Sequence, residues 1–252
     1  MNIAFLPLRA GSKGIPDKNI RMLAGKPLCF WIIEALLGAE TEFDKIIIST
    51  DSDKYRDLIF ANYGHIDNIF SISRSEEVSC DTATTEAVVL EYIDSEYGVV
   101  PFDVFNEDKF LLVQATSPYT ESNDIDQIMS FDIGHPKSPY NSVFSAVDIS
   151  SRVIWTDHST GFDEYMFPLS KNPPVRQPRQ SSFFTSKKPV FMENGALYLN
   201  TIENWIKFRN RFRAPIGVYE MELSSIIEID SHEDWDAMSY LLRGKYDKSF
   251  YI

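Results

Sequence analysis

Apolar runs of strand length alternate with segments of helical periodicity through the first half of the sequence. The clearest run is KIIIST at 45–50, a β-branched stretch typical of a parallel strand buried on both faces. Helical spacing of apolar residues returns between such runs. The predicted strands are 2–8, 45–50, 68–72 and 109–114, and the predicted helices are 27–38, 52–63, 82–97 and 123–131. This βαβαβ order predicts an α/β fold with a doubly wound, mostly parallel sheet, whose ligands bind at the carboxyl ends of the strands.

The second half of the chain departs from this alternation. Residues 150–188 contain four prolines and no long helical period, which we interpret as an extended dimerisation arm, with a flexible surface loop as the alternative. A single domain is expected to span 1–252, with 150–188 inserted as the arm. Further strands are predicted at 142–147, 195–199, 216–221 and 226–230, and helices at 201–208 and after Ser231, where Ser231 and Asp234 resemble a capping box.

The charge of the chain is unevenly distributed. It has 252 residues with 24 basic and 37 acidic side chains, a net charge of −13, which excludes nucleic acids and anionic membranes as partners unless positive charge is gathered locally. Residues 9–26 hold five bases and one acid, 171–188 hold five bases and no acid, and 220–236 hold seven carboxylates and no base. Two basic clusters in an acidic chain favour a small polyanion bound with a divalent metal, although charges also cluster by chance on solvated faces.

Cysteine content and the start of the chain indicate the compartment. Cys29 and Cys80 are the only cysteines, and a chain of this size needs no disulfide, which favours a reducing environment. The apolar run at 3–8 is interrupted by Pro7 and is too short for a signal peptide or a membrane-spanning helix. We therefore expect a cytoplasmic protein without a membrane or nucleic-acid partner.

The loop after the first strand, LPLRAGSKGIPDKN at 6–19, is the most informative segment. Gly11 and Gly14 lack the side chains that would keep backbone amides away from phosphate oxygens, and Arg9, Lys13 and Lys18 can neutralise a triphosphate. The segment contains neither G-x-G-x-x-G nor G-x-x-x-x-G-K-[ST], which argues against a dinucleotide dehydrogenase and a P-loop ATPase. It predicts a phosphate-binding loop, with an ordinary strand-to-helix loop and solvated lysines as the alternative.

The pattern R-x-G-S-K-G-I-P-x-K-N at 9–19 resembles the nucleotide-binding signature of the N-acylneuraminate (sialic acid) cytidylyltransferases, the CMP-nonulosonate synthetases. Further segments follow in that family's order along nearly the whole chain: DTA at 81–83 after Arg74, QATSP at 114–118, QPRQ at 177–180, ENGALY at 193–198 and IEID at 227–230. Ordered matches of this kind are far more specific than any one of them. The resemblance implies a Rossmann-like nucleotidyltransferase fold and a homodimer whose 150–188 arm crosses to the partner.

The resemblance also implies a reaction and its residues. The anomeric hydroxyl of a nine-carbon 2-keto sugar acid attacks the α-phosphate of CTP in the presence of Mg²⁺, giving CMP-sugar and pyrophosphate. Carried over by position, the nucleotide-binding residues are Arg9, Gly11, Ser12, Lys13, Gly14, Asn19, Arg74, Asp81, Thr82 and Ala83. The catalytic residues are Arg9, Lys18 (at the α-phosphate) and Asp230; the sugar-binding residues are Gln114, Thr116, Ser117 and Arg179; and the metal ligands are Asp230 and Glu228.

Three positions depart from the family pattern. Glu228 stands where the family commonly has the first Asp of Asp-x-Asp, Tyr119 and Thr120 stand in place of Leu-Arg, and Ala115 replaces a usual Pro. The second change removes a cation near the sugar, so the identity of the nine-carbon acid is left open. Two other functions stay open: a nucleotidyltransferase for an eight-carbon sugar acid or a sugar phosphate, and a catalytically silent nucleotide-binding protein of the same fold.

Overall fold

A seven-stranded sheet lies at the centre of the computed structural model, which describes residues 1–98, 108–149, 155–157, 166–168 and 190–246. The strands are β1 (Asn2–Leu8), β2 (Met22–Leu23), β3 (Lys26–Pro27), β4 (Lys45–Thr50), β5 (Ile69–Ser73), β6 (Lys109–Val113), β7 (Ser142–Asp148), β8 (Trp155–Asp157), β9 (Met166–Pro168), β10 (Phe191–Thr201) and β11 (Ile216–Glu220). Their order across the sheet is β11-β7-β10-β6-β1-β4-β5, and β10 alone among these seven runs antiparallel to its neighbours. The predicted mostly parallel sheet is therefore confirmed.

Helices follow most of the strands in the described ranges. They are α1 (Leu28–Leu37), α2 (Asp53–Tyr63), α3 (Thr85–Tyr97), α4 (Ser122–Met129), α5 (Ile202–Phe208) and α6 (His232–Tyr246). The hydroxyls of Ser52, Thr84 and Thr201 accept hydrogen bonds from amides three residues on and so begin α2, α3 and α5. Because Thr84 is the cap, α3 begins three residues later than predicted, and 82–84 are left in the loop beside the strand ends.

Both faces of the sheet are buried, as a doubly wound sheet requires. In β1, Ala4, Leu6 and Leu8 face a cluster that includes apolar residues of α1, α2 and α4. Ile3 and Phe5 face the opposite cluster, which includes residues of α3 and α5. This alternation within one strand is the period-two pattern of side chains in an extended chain, and here both sides are apolar.

The predicted strand at 226–230 is wrong. A short 3-10 helix occupies Leu223–Ile226, and 227–230 belong to no strand. Ile229 is nevertheless fully buried, in a cluster with Ile15, Leu28 and Trp235, and its amide donates to the carbonyl of Thr116 at 2.8 Å. The alternation of isoleucine and acid thus reflects burial of Ile229 beneath the 6–19 loop and α6, rather than pairing in the sheet.

The remaining expectations concern the chain ends and the arm. The capping box at α6 is confirmed, because Ser231 Oγ accepts from the Asp234 amide at 3.2 Å and Asp234 Oδ2 accepts from the Ser231 amide at 2.8 Å. Within 150–188 the structure describes only β8 and β9, which pair antiparallel with each other; the rest of the expected arm, with Arg179, lies outside the described residues. No helix in the described ranges is both long and apolar enough to cross a membrane.

Candidate active site

Two adjoining cavities lie beyond the carboxyl ends of β1 and β6. The first has a volume of about 190 Å³, and the second, of about 380 Å³, shares Thr85, Gln114 and Thr116 with it. The first brings together many of the residues predicted for the nucleotide, the reaction and the sugar: Arg9, Ser12, Lys18, Asn19, Arg74, Ala83, Gln114 and Thr116. Segments far apart in the sequence therefore meet at the edge where open α/β sheets bind their ligands.

The loop after β1 is tied to the 80–83 loop by its cations. Arg9 forms an ion pair with Asp81 and donates to the carbonyl of Cys80 at 3.1 Å. Lys13 Nζ lies 2.5 Å from the second carboxylate oxygen of Asp81. Hydrogen bonds from Lys13 and Arg9 hold the pKa of Asp81 below its ordinary value. A phosphate bound by these two cations would therefore have to compete with Asp81.

Lys18 joins the same loop to Asp230. Its Nζ donates to the carbonyl of Ile229 at 2.6 Å and to Asp230 Oδ1 at 3.0 Å. Only 11% of the Lys18 side chain is exposed, against 73% for Asp230. Gly14 permits this approach, because a Cβ built there would lie 2.5 Å from the Asp230 carbonyl oxygen. Asn19 holds the base of the loop by donating to the Arg9 carbonyl at 2.9 Å.

Arg74 is a buried cation in the wall of the first cavity. Only 3% of its side chain is exposed, and its Nε and Nη2 have no hydrogen-bond partner within the described residues. Its nearest carboxylate oxygen is Asp51 Oδ1, at 3.8 Å. Burial lowers the pKa of this guanidinium, and the charge of Asp51 opposes that shift. A buried donor group without a partner is costly, so its placement points to a ligand in the cavity.

Asp51 is a site residue that the sequence analysis did not identify. Its Oδ1 accepts from the Ala10 amide at 2.9 Å while it faces Arg74. It thus fixes the first turn of the 6–19 loop and offsets the buried charge. Its position immediately after β4, at the carboxyl edge of the sheet, is the sequence feature that could have marked it as a site residue.

Glu228 and Asp230 supply oxygen donors of the kind that Mg²⁺ binds. Glu228 Oε1 accepts from Thr116 Oγ1 at 3.0 Å, and Gly195, with φ of +69°, leaves room for the other oxygen, since a Cβ there would lie 2.6 Å from it. Burial raises the pKa of Glu228, and the charge of Asp230 raises it further. The described ranges contain no group of three or more His, Cys, Asp or Glu side chains suited to a metal. The donors fit Mg²⁺ held by one or two carboxylates and completed by substrate phosphates.

The second cavity contains residues to which the sequence analysis assigned no role. Its lining comprises Thr85, Gln114, Thr116, Glu193, Gly195, Tyr198, Arg211 and Glu228. Glu193 and Tyr198 lie in the ENGALY segment, whereas no pattern marks Arg211. An arginine, two carboxylates, an amide and hydroxyls are groups that can bind the hydroxyls of a polyhydroxylated acid through hydrogen bonds.

Several proposed site residues lie beside the cavities without lining them. Ser117 is buried, and its hydroxyl points to the Asn194 carbonyl at 3.4 Å. Thr82 Oγ1 lies 3.3 Å from the Cys80 sulfur. Gly11 has open space on its Cβ side, with the nearest atoms, both of Arg9, at 3.7 and 3.8 Å. Ser117 and Thr82 thus contact neighbouring segments of the site.

Comparison with known proteins gives the following matches. A family model described as cytidylyltransferase matches residues 3–153. The N-acylneuraminate cytidylyltransferase of Streptococcus agalactiae serotype III (strain NEM316) is 29% identical over 99% of this chain and 56% of the relative. The CMP-N,N'-diacetyllegionaminic acid synthase of Legionella pneumophila (strain Philadelphia 1) is 29% identical over 92% of each chain. The chain therefore spans little more than half the length of the streptococcal relative.

Solved structures share the fold at low identity. A CMP:2-keto-3-deoxy-manno-octonic acid synthetase complexed with CTP superimposes with a TM-score of 0.62 at 15% identity, over 97% of this chain and 99% of the other. A 4-diphosphocytidyl-2C-methyl-D-erythritol synthase from Anaerococcus prevotii gives 0.61 at 14% identity, over 96% of each chain. At such identity the likeness shows the fold.

Proposed function

The chain belongs to the cytidylyltransferase family, and from this premise we propose that it transfers CMP from CTP to the anomeric hydroxyl of a nine-carbon 2-keto sugar acid, with release of pyrophosphate. The observation that carries the proposal is the pair of adjoining cavities that share Gln114 and Thr116. One is rich in cations suited to a triphosphate, and the other in hydrogen-bonding groups suited to a sugar acid. The names of the streptococcal and Legionella relatives support this acceptor class.

We assign CTP to the first cavity. Arg9, Ser12, Lys13 and Asn19 lie along the phosphates, with the amides of Gly11 and Gly14 as further donors. When phosphate binds, its oxygens replace the Asp81 carboxylate as the partner of Arg9 and Lys13. Arg74 and 81–83 then frame the cytosine and ribose, and the unpartnered donors of Arg74 meet acceptor atoms of the nucleotide.

Lys18, Arg9 and Asp230 are the proposed catalytic residues. Lys18 donates to the α-phosphate and stabilises the charge that develops there as the pyrophosphate leaves. Its restricted side chain is already held by the Ile229 carbonyl, so little reorganisation is needed during the reaction. Asp230, with Glu228 as the second carboxylate, would hold Mg²⁺, which when bound neutralises negative charge on the phosphates. Because the two cavities adjoin, the acceptor and the nucleotide are held side by side, and this proximity supplies a further part of the rate enhancement.

The acceptor occupies the second cavity in this proposal. Gln114 and Thr116 lie at the junction of the two cavities and contact the acceptor near its reacting carbon. Ser117 supports this segment from below, through the Asn194 carbonyl. Arg179 belongs to the proposed arm, which in a homodimer would add its cation to the partner's site.

Compartment and organisation are part of the same proposal. Cys29 and Cys80 are both free thiols, one buried and one exposed, which supports a reducing compartment such as the cytoplasm. We also propose that residues 1–252 form a single nucleotidyltransferase domain, with 150–188 as an inserted arm. Sedimentation analysis of the whole chain and of a variant lacking 150–188 tests the dimer, since the deletion should yield a monomer.

The activity test follows pyrophosphate release from CTP and Mg²⁺ with a panel of acceptors: nine-carbon 2-keto acids, an eight-carbon acid and a sugar phosphate. We expect release with a nine-carbon acid and recovery of the CMP-sugar. Release with only the eight-carbon acid or the sugar phosphate would replace the acceptor class. CTP binding without release for any acceptor would identify a catalytically silent nucleotide-binding protein instead.

A further inference from the structure

Cys80 is an exposed thiol in the lining of the first cavity, and no role in nucleotide or acceptor binding is assigned to it. It follows the short 3-10 helix at Glu77–Ser79 and begins the 80–83 loop. Arg9 donates to the Cys80 carbonyl at 3.1 Å, which ties the backbone of this residue to the loop after β1. The thiol is therefore held within the nucleotide cavity by a contact that does not involve its sulfur.

The surroundings of the Cys80 sulfur favour the thiolate. The sulfur lies 3.3 Å from Thr82 Oγ1 and 3.2 Å from the Glu77 carbonyl oxygen. Hydrogen bonds with Thr82 lower the pKa of the Cys80 thiol. Cys29, in contrast, is fully buried, and burial raises the pKa of its thiol to about 12. Because the thiolate is the nucleophilic form, Cys80 is the reactive cysteine of the pair.

An independent sign of a ligand lies in the same cavity. The Arg74 side chain is 3% exposed and lines the cavity together with Cys80. Its Nε and Nη2 lack a hydrogen-bond partner in the described part of the chain, so these buried donors require acceptors that arrive with a ligand. A guanidinium binds a carboxylate through two parallel hydrogen bonds. A molecule that carries a carboxylate therefore meets both a matching cation and a reactive thiol in this cavity.

The volume of the cavity determines the effect of an adduct on Cys80. The first cavity has a volume of about 190 Å³, and its lining includes Arg9, Ser12 and Lys18, which are proposed to contact the phosphates. A group of several heavy atoms attached to the sulfur fills much of a space of this size. An adduct and a bound triphosphate therefore cannot occupy the cavity together.

We propose that Cys80 is a site of reversible exchange with low-molecular-weight disulfides that carry carboxylates, and that the mixed disulfide excludes CTP from the first cavity. The exclusion of CTP rests on the proposed function, whereas the exchange itself does not. The Cys80 thiolate attacks one sulfur of the disulfide, a new S–S bond forms as the old one breaks, and the other half leaves as a thiolate. That thiolate takes up the proton that Cys80 released, so no further oxidant is consumed. Excess free thiol reverses the exchange.

Mass spectrometry of the whole chain after incubation with glutathione disulfide tests the site. We expect a single glutathione per chain, located at Cys80 by peptide mapping. Cys29 of the same molecules is the internal control and should stay unmodified. Cys80→Ser, which keeps a hydroxyl beside Thr82, should gain no adduct.

A second disulfide tests the role of charge. Cystamine carries ammonium groups where glutathione disulfide carries carboxylates. With each rate divided by that of a short unstructured cysteine peptide, cystamine should exchange with Cys80 at least about tenfold more slowly, the equivalent of one charged hydrogen bond.

Calorimetric titration with CTP and Mg²⁺ measures the consequence of the adduct. The glutathionylated wild type should bind no CTP, and dithiothreitol should restore binding. Saturating CTP, added first, should slow the modification. Cys80→Ser should bind CTP equally before and after the incubation, which separates a blocked cavity from a general effect of the disulfide.

The outcomes distinguish this inference from the proposed function. An absence of adduct at Cys80, or equal modification of Cys29, overturns the assigned site. An adduct at Cys80 with unchanged CTP affinity overturns the exclusion, and equal or faster exchange with cystamine overturns the preference for carboxylates. If the unmodified wild type binds no CTP, the proposed function fails and the exclusion fails with it, while the mass spectra still decide whether Cys80 is the exchange site.

Discussion

Gly14→Ala tests whether the 6–19 loop and the Asp230 segment act as one unit. Gly14 has no positive φ that would strain an alanine, so the substitution acts through the contact alone. The new Cβ would lie 2.5 Å from the Asp230 carbonyl oxygen, whereas ordinary contact begins at 3.4 Å, so a gap of about 0.9 Å must open. That oxygen is backbone, and its segment is held by the hydrogen bonds of Ile229 to Thr116 and Lys18.

The size of the effect follows from that displacement. Overpacking of this kind costs about 1–3 kcal/mol of the free energy of unfolding, and in a chain of this size each kcal/mol lowers Tm by about 2–4 °C. A displacement of about 1 Å between catalytic groups lowers turnover by up to about 100-fold. We therefore expect kcat to fall by one to two orders of magnitude, while the KM for CTP changes less.

Differential scanning calorimetry and steady-state kinetics measure the two effects, and Gly11→Ala is the control in the same loop. Its Cβ would meet nothing closer than 3.7 Å, so its Tm should stay within about 1 °C, and any kinetic effect should appear in the KM for CTP. A wild-type kcat in Gly14→Ala would refute the coupling of the loop to Asp230, even if Tm fell.

Four further outcomes are expected. Lys18→Ala should lower kcat more than CTP affinity, because the proposed reaction places its charge at the α-phosphate; an unchanged kcat would remove that role. Asp230→Asn should abolish Mg²⁺-dependent turnover while far-ultraviolet circular dichroism stays unchanged, and full activity at ordinary Mg²⁺ would exclude the metal site. Asn194→Ala should cost about 2 kcal/mol in urea unfolding, since it removes the buried hydrogen bonds that Asn194 makes with the hydroxyls of Ser145 and Ser225. A cost below about 0.5 kcal/mol, the size of an ordinary surface substitution, would contradict this. Although burial raises it, the pKa of Glu86 is held below its ordinary value of 4.5 by the ion pair with Arg211. The difference in unfolding free energy between wild type and Arg211→Gln should therefore be constant at neutral pH and shrink as pH falls below about 4.5. A constant difference down to about pH 3 would contradict this.

The sheet and the 6–19 loop are predictable from the sequence because they depend on local patterns. The buried run in β4 and the two-faced alternation in β1 require only neighbouring residues, and the glycines of the loop mark where backbone must approach something closely. What Gly14 approaches is not local: its partner is the backbone of Asp230, more than 200 residues away.

The segment from Met221 to Asp230 could not be predicted for a related reason. Its alternation matches a strand, but Asn194 holds it instead, with its side-chain amide donating to Ser225 Oγ at 2.9 Å and to the sulfur of Met221. No pattern in the sequence indicates that contact with Asn194. The same applies to Arg211, which lines the second cavity with its side chain held by Glu86 and Tyr198.

The positive charges of the 6–19 loop are neutralised by carboxylates to a greater extent than the sequence suggests. Arg9 and Lys13 are paired with Asp81, and Lys18 with Asp230, so each cation proposed for the phosphates already has a carboxylate partner. CTP affinity then depends on the difference between phosphate and carboxylate at these cations, rather than on their full attraction. The carboxylates are contributed by the two segments that complete the site, 80–83 and 227–230. In the proposed function, phosphate binding would displace them and change how those segments are held, which would couple nucleotide binding to the positions of the proposed ribose-binding loop and metal ligands.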